Sequence, residues 1–155
     1  MQNVDVQIRK ATKDDLDGIF LLEEEWKQEE VSYIFEPITK EEFIETMDIF
    51  SDYHLVAVEN RQIIGYINAK VQNSGNERVF RANEDHLMVE NLYVRSSKRK
   101  SKVGSMLLET LLMNARKNGM TKFAVATDTK DMEAILKFYT QHGFKPFHVQ
   151  LFKIE

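Results

Sequence analysis

The segment from Leu87 to Val94 carries apolar residues on both of its faces. A strand of that kind is stable only inside a sheet that is covered above and below. It leads into a polar, strongly basic loop and then into an amphipathic helix over Val103–Asn118. There Val103, Met106, Leu107, Leu111 and Ala115 recur at helical spacing, and Gly119 supplies a stop. A central strand and a helix that packs back onto its sheet restrict the chain to a layered α/β arrangement.

The other elements fit around this unit. Val4–Arg9 alternates as a strand does. Thr12 with Asp15 forms a capping box opening a helix over Lys13–Gln28, and Thr39 with Glu42 opens a second, with Phe43, Ile44, Met47 and Phe50 on its apolar side. Between them Glu29–Ile38 is an acidic and aromatic loop. His54–Glu59 and Ile63–Val71 read as a hairpin across Asn60–Gln62, and Gln72–Asp85 as a polar loop. Phe123–Ala126 is a short buried strand, Asp131–His142 a helix ended by Gly143, and Phe144–Ile154 one or two final strands broken by Pro146. The order is β-α-α-β-β-β-α-β-α-β, with no repeat and no linker, so one domain over residues 1–155 is expected.

Composition removes whole classes of chemistry. With no cysteine there is no disulfide, no thiolate metal site and no cysteine nucleophile. No apolar run approaches the ~18 residues of a membrane span. The stretch MQNVDVQIRK holds no apolar signal core, so a cytoplasmic address is expected. His54, His86, His142 and His148 show no metal spacing. The net charge of −4 is unevenly spread: residues 1–50 carry 14 acids and 5 bases, whereas residues 95–102 carry five bases and no acid.

That basic loop sits where a strand feeds a helix. Backbone N–H groups are unpaired at a helix N-terminus, and the dipole adds partial positive charge. Arg95, Lys98, Arg99, Lys100 and Lys102 surround that end, a combination that favours phosphate or pyrophosphate. A solvated basic loop and a nucleic-acid patch are the alternatives; the second lacks interleaved aromatic residues. Neither a Walker pattern nor a Gly-x-Gly-x-x-Gly after a strand is present.

Leu92-Tyr93-Val94, then Arg99-x-x-Lys102-x-Gly104, then Leu107, resembles the acetyl-CoA signature of the GNAT N-acetyltransferase superfamily, a strand followed by Arg/Gln-x-x-Gly-x-Gly/Ala at a helix start. Phe138-Tyr139-x-x-x-Gly143-Phe144 is similar to the family's Phe-Tyr-x-x-x-Gly-Phe, and the element order agrees over essentially the whole chain. The resemblance implies a mixed, mostly antiparallel central sheet, splayed at its centre and flanked by about four helices. It also implies acetyl-CoA as co-substrate and transfer of its acetyl group to an amine. By the same resemblance the strand at Leu92, Tyr93 and Val94 receives the pantetheine arm, with Leu92 and Val94 bonding it through main chain. Arg99, Lys100, Ser101, Lys102, Val103, Gly104 and Ser105 bind the pyrophosphate. Lys102 replaces the motif's first glycine and fits there if its φ is negative. Met132 and Ile135 stand where the family often has asparagine and alanine.

Direct transfer needs a deprotonated amine, a stabilised oxyanion and a proton for the departing thiolate. Tyr139 is the candidate acid; a helix tyrosine packing on the sheet is its alternative. Glu90 is the candidate base, matching a glutamate in acetyltransferases of the spermidine/spermine type. Alternation places it on the face of Met88, Leu92 and Val94. A Glu90 paired with a lysine or arginine, or one at a bulge, is the alternative. The family builds its acceptor site from the first helices and their loop. Here Glu23, Glu24, Glu25, Glu29 and Glu30 add charge, and Trp26, Tyr33 and Phe35 add aromatic faces. These point to a polyamine, an aminoglycoside-like amine or a lysine-type acceptor, with a solvated acidic helix face as the alternative. A homodimer is compatible with the sequence; a membrane partner is not expected. Two rival functions stand beside the enzyme: a degenerate acyl-CoA-binding regulatory module, and a nucleic-acid module using Lys98–Lys102, whose binding salt would weaken.

Overall fold

The computed structural model describes residues 5–33, 36–75 and 79–155. Val4, Phe35 and the middle of the polar loop, 76–78, lie outside the described residues. The elements are β1 (Gln7–Lys10), α1 (Leu16–Gln28), α2 (Lys40–Ile49), β2 (His54–Glu59), β3 (Gln62–Asn73), β4 (Asp85–Val94), α3 (Val103–Lys117), β5 (Phe123–Val125) and α4 (Met132–Gln141). One sheet runs in the order β1-β2-β3-β4-β5. Its first four strands are antiparallel, and β5 lies parallel to β4.

Local chemistry accounts for most of the boundaries. Both capping boxes form; at the first, Asp15 accepts from the Thr12 N–H at 2.8 Å and from Arg9 at 2.7 and 2.8 Å. The β2–β3 turn has Asn60 and Arg61 at φ 50° and 65°, the pair of left-handed residues that a two-residue hairpin with strand-matched twist requires. Gly18 lets α1 lie against β3, since a Cβ there would stand 2.7 Å from Ile63 Cγ1.

Each face of the sheet has its own core. On one, Leu107, Leu108, Leu111 and Ala115 of α3 pack on Leu55, Ala57, Ile67, Leu87 and Val89. On the other, Ile19, Leu22, Phe43 and Met47 of α1 and α2 pack on Val56, Tyr66 and Tyr93. Strand β4 is therefore covered on both sides, as its composition demands.

Two expectations are corrected here. Strand β4 contains a bulge: Asn68 opposes Asn91 and Ala69 opposes Val89, which leaves Glu90 without a β3 partner. An extra residue shifts alternation by one. Leu92 and Val94 consequently join Leu87 and Val89 in the α3-side core, and the single face predicted for Glu90, Leu92 and Val94 does not exist. Second, no strand forms over residues 144–155. Phe144 packs on the core, but Phe147, Val149, Leu151 and Ile154 are 60% to 88% exposed. An apolar alternation makes a strand only where a ladder partner is available, and none pairs with this segment among the described residues.

One carboxyl lies inside the α1-side core. Glu23 of α1 is buried and accepts from the Tyr66 hydroxyl; burial pushes its pKa up to about 7. The folded state therefore holds a proton that the unfolded chain releases above its ordinary pKa of about 4.5. Stability falls as pH rises from about 4.5 to about 7 and is level beyond. Glu23→Gln keeps an acceptor for Tyr66 and carries no charge. It should remove that slope and raise stability at pH 8 by about 3 kcal/mol, read by urea unfolding at a series of pH values; an unchanged slope refutes the assignment.

Candidate functional site

The sheet opens between β4 and its edge strand β5, not at its centre as expected. Leu87, Met88 and Val89 pair with Phe123, Ala124 and Val125; beyond these, β4 runs on to Val94 while β5 has ended. The Arg95 N–H donates to Ile64 O at 2.8 Å. By alternation, the main-chain groups of Leu92 and Val94 face away from β3, into the opening. The resulting cleft has a volume of about 730 Å³. Trp26 and Ser32 line it on one side, Glu90 and Leu92 along β4, and Ile135 and Tyr139 of α4 on the other. A second cavity of about 540 Å³, near Gly18 and Arg61, contains none of these residues.

The basic loop reaches the opening through Arg99. Lys100 and Lys102 have φ of 63° and 67°, so Lys102 does not have the expected negative φ. The loop keeps the left-handed backbone that glycine favours, with lysine in it. That costs about 1–2 kcal/mol at a non-glycine residue. In return, left-handed residues leading into the α3 N-terminus turn successive N–H groups toward one point, a shape that binds anions. Gly104, in the first turn of α3, has a different role. A Cβ there would meet the Phe138 ring at 3.6 Å, an ordinary contact, so the fold itself does not demand glycine. The absent Cβ would point at Phe138 and Val94, so the anion-binding character of this end rests on its left-handed loop and unpaired N–H groups.

Charges that looked free in sequence are paired across the site. Arg99 grips Glu29 with two bonds of 2.7 Å and donates to Val94 O at 3.0 Å. Tyr93 donates to the same carboxylate, and Trp26 stacks on Tyr93 at 5.2 Å. Burial alone would raise the Glu29 carboxyl, but the Arg99 and Tyr93 bonds hold it below its usual range. Arg95 binds Glu25 at 3.1 Å, Lys98 binds Glu59, and the Ser101 hydroxyl donates to Lys98 O. The loop is thus fastened to the C-terminal half of α1. Glu23, Glu25 and Glu29 are consumed in the fold rather than displayed to an acceptor. The carboxylates that line the cleft are Glu36, Glu90, Asp128 and Asp131. Sequence reading missed Asp128 and Asp131; their one signal is their place in the loop after a strand that stops short. Tyr33 is held under Lys130 and against Phe152.

Tyr139 is buried between Phe138 and Phe144 with an edge on the cleft. Burial pushes its phenol up to about 12, so it is protonated throughout the neutral range. Glu90 bonds Lys70 across the bulge at 2.6 Å and is partly exposed. Ile135 lines the cleft, while Met132 is exposed.

The sequence model of the acetyltransferase (GNAT) family matches residues 19–144. The chain belongs to the GNAT family. Solved structures agree at the level of fold. The aminoglycoside N-acetyltransferase AAC(6')-Iy in complex with CoA superposes with a TM-score of 0.74 at 17% identity, over 99% of this chain and 97% of that one. A transcriptional regulator from Bacillus halodurans superposes at 0.73 with 22% identity, over 97% and 100%. Arabidopsis thaliana Naa50 with a bisubstrate CoA analogue superposes at 0.71 with 17% identity, over 94% and 86%. No curated protein sequence matches the chain significantly. Among the described residues no helix is long and apolar enough to cross a membrane.

The GNAT loop with lysine at its left-handed position has a testable signature. Lys102→Gly should leave stability within about 1 kcal/mol of the parent, because relieved strain is offset by a freer unfolded chain. Lys102→Val, β-branched, should cost about 1 kcal/mol or more. Equal stabilities of the two variants in urea would show that Lys102 is not left-handed.

Proposed function

We propose that this protein is an acetyl-CoA-dependent N-acetyltransferase, carried by one domain, that acetylates a cationic primary amine within a ternary complex. The carrying observation is the divergence of β4 from β5. It leaves the main chain of Leu92 and the Val94 N–H on the side where β5 has ended, beside a cleft that is lined by Arg99 of the basic loop and reaches the Tyr139 phenol. Leu92 and Val94 would hold the pantetheine amides, with Tyr93 fixed between them. The main chain of Arg99, Lys100, Ser101, Lys102, Val103, Gly104 and Ser105 would hold the pyrophosphate, with the Lys100 and Lys102 ammonium groups beside it. The bound co-substrate supplies an acyl thioester as electrophile.

The residues then divide the proton work. Glu90 takes the proton of the incoming ammonium group, directly or through water, from a partly exposed bulge that Lys70 orients. Tyr139 hydrogen-bonds the leaving sulfur. Its pKa of about 12 stands above the ordinary thiol value of about 8.5, so complete proton transfer would be uphill by about 5 kcal/mol. A hydrogen bond to developing thiolate is therefore its contribution. Glu36, Asp128 and Asp131, with Trp26, draw a cation into the cleft. This supports a polyamine, aminoglycoside-like or lysine-type acceptor.

Acetyl-CoA titration by calorimetry, followed by a CoA-release assay over a panel of amines, tests the reading. Binding with release on at least one amine is expected; binding without release on any would make the protein an acyl-CoA-binding regulatory module. Tyr139→Phe should lower kcat about 100-fold with acetyl-CoA affinity retained, and unchanged turnover removes its role. Glu90→Gln should flatten the acidic limb of the rate–pH profile; an unmoved limb assigns amine deprotonation to solvent.

A further inference from the structure

The turn that ends α4 touches the first turn of α3. His142 Nε2 lies 3.0 Å from Ser105 Oγ, and its Nδ1 faces Glu109 at 3.7 Å. The Phe138 ring lies 5.0 Å from the imidazole. The groups facing the ring are therefore Ser105 and Glu109 of α3 and Phe138 of α4. Ser105 is the third residue of α3, and its N–H belongs to the unpaired set at that end.

We infer that His142 is a positioning residue that couples proton uptake to pyrophosphate binding through the Ser105 hydroxyl. This rests on the cofactor reading above. A hydroxyl has a single proton. With neutral His142 accepting at Nε2, the Ser105 hydrogen points at the ring and only lone pairs face an anion. With protonated His142, Nε2–H donates to Ser105 Oγ, and the Ser105 hydrogen is free to donate to a phosphate oxygen. An anion at the α3 N-terminus favours the second arrangement. The proton comes from solvent, and Glu109 faces the nitrogen that shares the new charge.

The experiment is calorimetric titration of the whole protein at pH 7.5 with CoA and with dephospho-CoA. The latter keeps the pyrophosphate and lacks the titrating 3′-phosphate. Paired buffers of different ionisation enthalpy give the protons taken up per ligand bound. Uptake of up to about one proton is expected for the parent. Ser105→Ala and His142→Gln should each lose most of it and bind roughly tenfold more weakly at pH 6.5. Ser105→Ala removes one hydroxyl and serves if His142→Gln does not fold. Equal uptake in the parent and Ser105→Ala, or none in the parent despite binding, overturns the inference. Absence of CoA binding by the parent instead overturns the cofactor reading, and the inference falls with it.

Discussion

Asn68 opposes Asn91 and Ala69 opposes Val89, so one residue, Glu90, is extra in β4. The rest of the site follows from that mismatch. Below it, Leu87 and Val89 send main-chain groups to β5 and side chains to the α3 core. Above it, Leu92 and Val94 keep their side chains in the same core, while β5 has no residues left to meet their main chain. A regular strand would alternate without interruption and would not place 87, 89, 92 and 94 together. The bulge lets one strand remain central in the core and still leave a main-chain edge open toward a ligand.

A second constraint fastens that edge in place. Arg99 reaches both Val94 O and Glu29. The end of β4, the loop and the C-terminus of α1 are therefore tied to one another, with the Tyr93–Trp26 stack behind them. Arg95 and Glu25 repeat the link one turn earlier on α1. Part-buried, bidentate and mutually braced pairs hold geometry better than isolated surface pairs. The C-terminus of α1 and the basic loop are thus parts of one charged assembly. The α4 turn braces the same helix start from the other side, through His142 and Ser105.

Much of this was legible in the residues. The capping boxes at Thr12 and Thr39, the helix stop at Gly119, the hairpin around Asn60 and the strand–loop–helix run from Leu87 to Val103 are local signals, and each formed where it was expected. The two motifs around Gly104 and Tyr139 named the family because each is a contiguous segment. The misreadings share a cause. Alternation assumes an unbroken ladder, so it assigned Glu90 the wrong companions. The apolar rhythm after Phe144 assumes a partner strand, and none pairs with it among the described residues. Counting the acids of residues 1–50 treats them as displayed, yet Glu23, Glu25 and Glu29 are each taken up by a residue more than 40 positions away.

By itself the sequence determined the family and the order of elements as far as α4, because periodicity, caps and short motifs act over a few residues. The tertiary structure alone decided which charges remain available, where β5 stops alongside β4 and that lysine occupies a left-handed glycine position at 102. Those depend on contacts between residues far apart in the chain, such as Arg99 with Glu29 and Ser105 with His142, and no spacing rule encodes a distance that only folding closes.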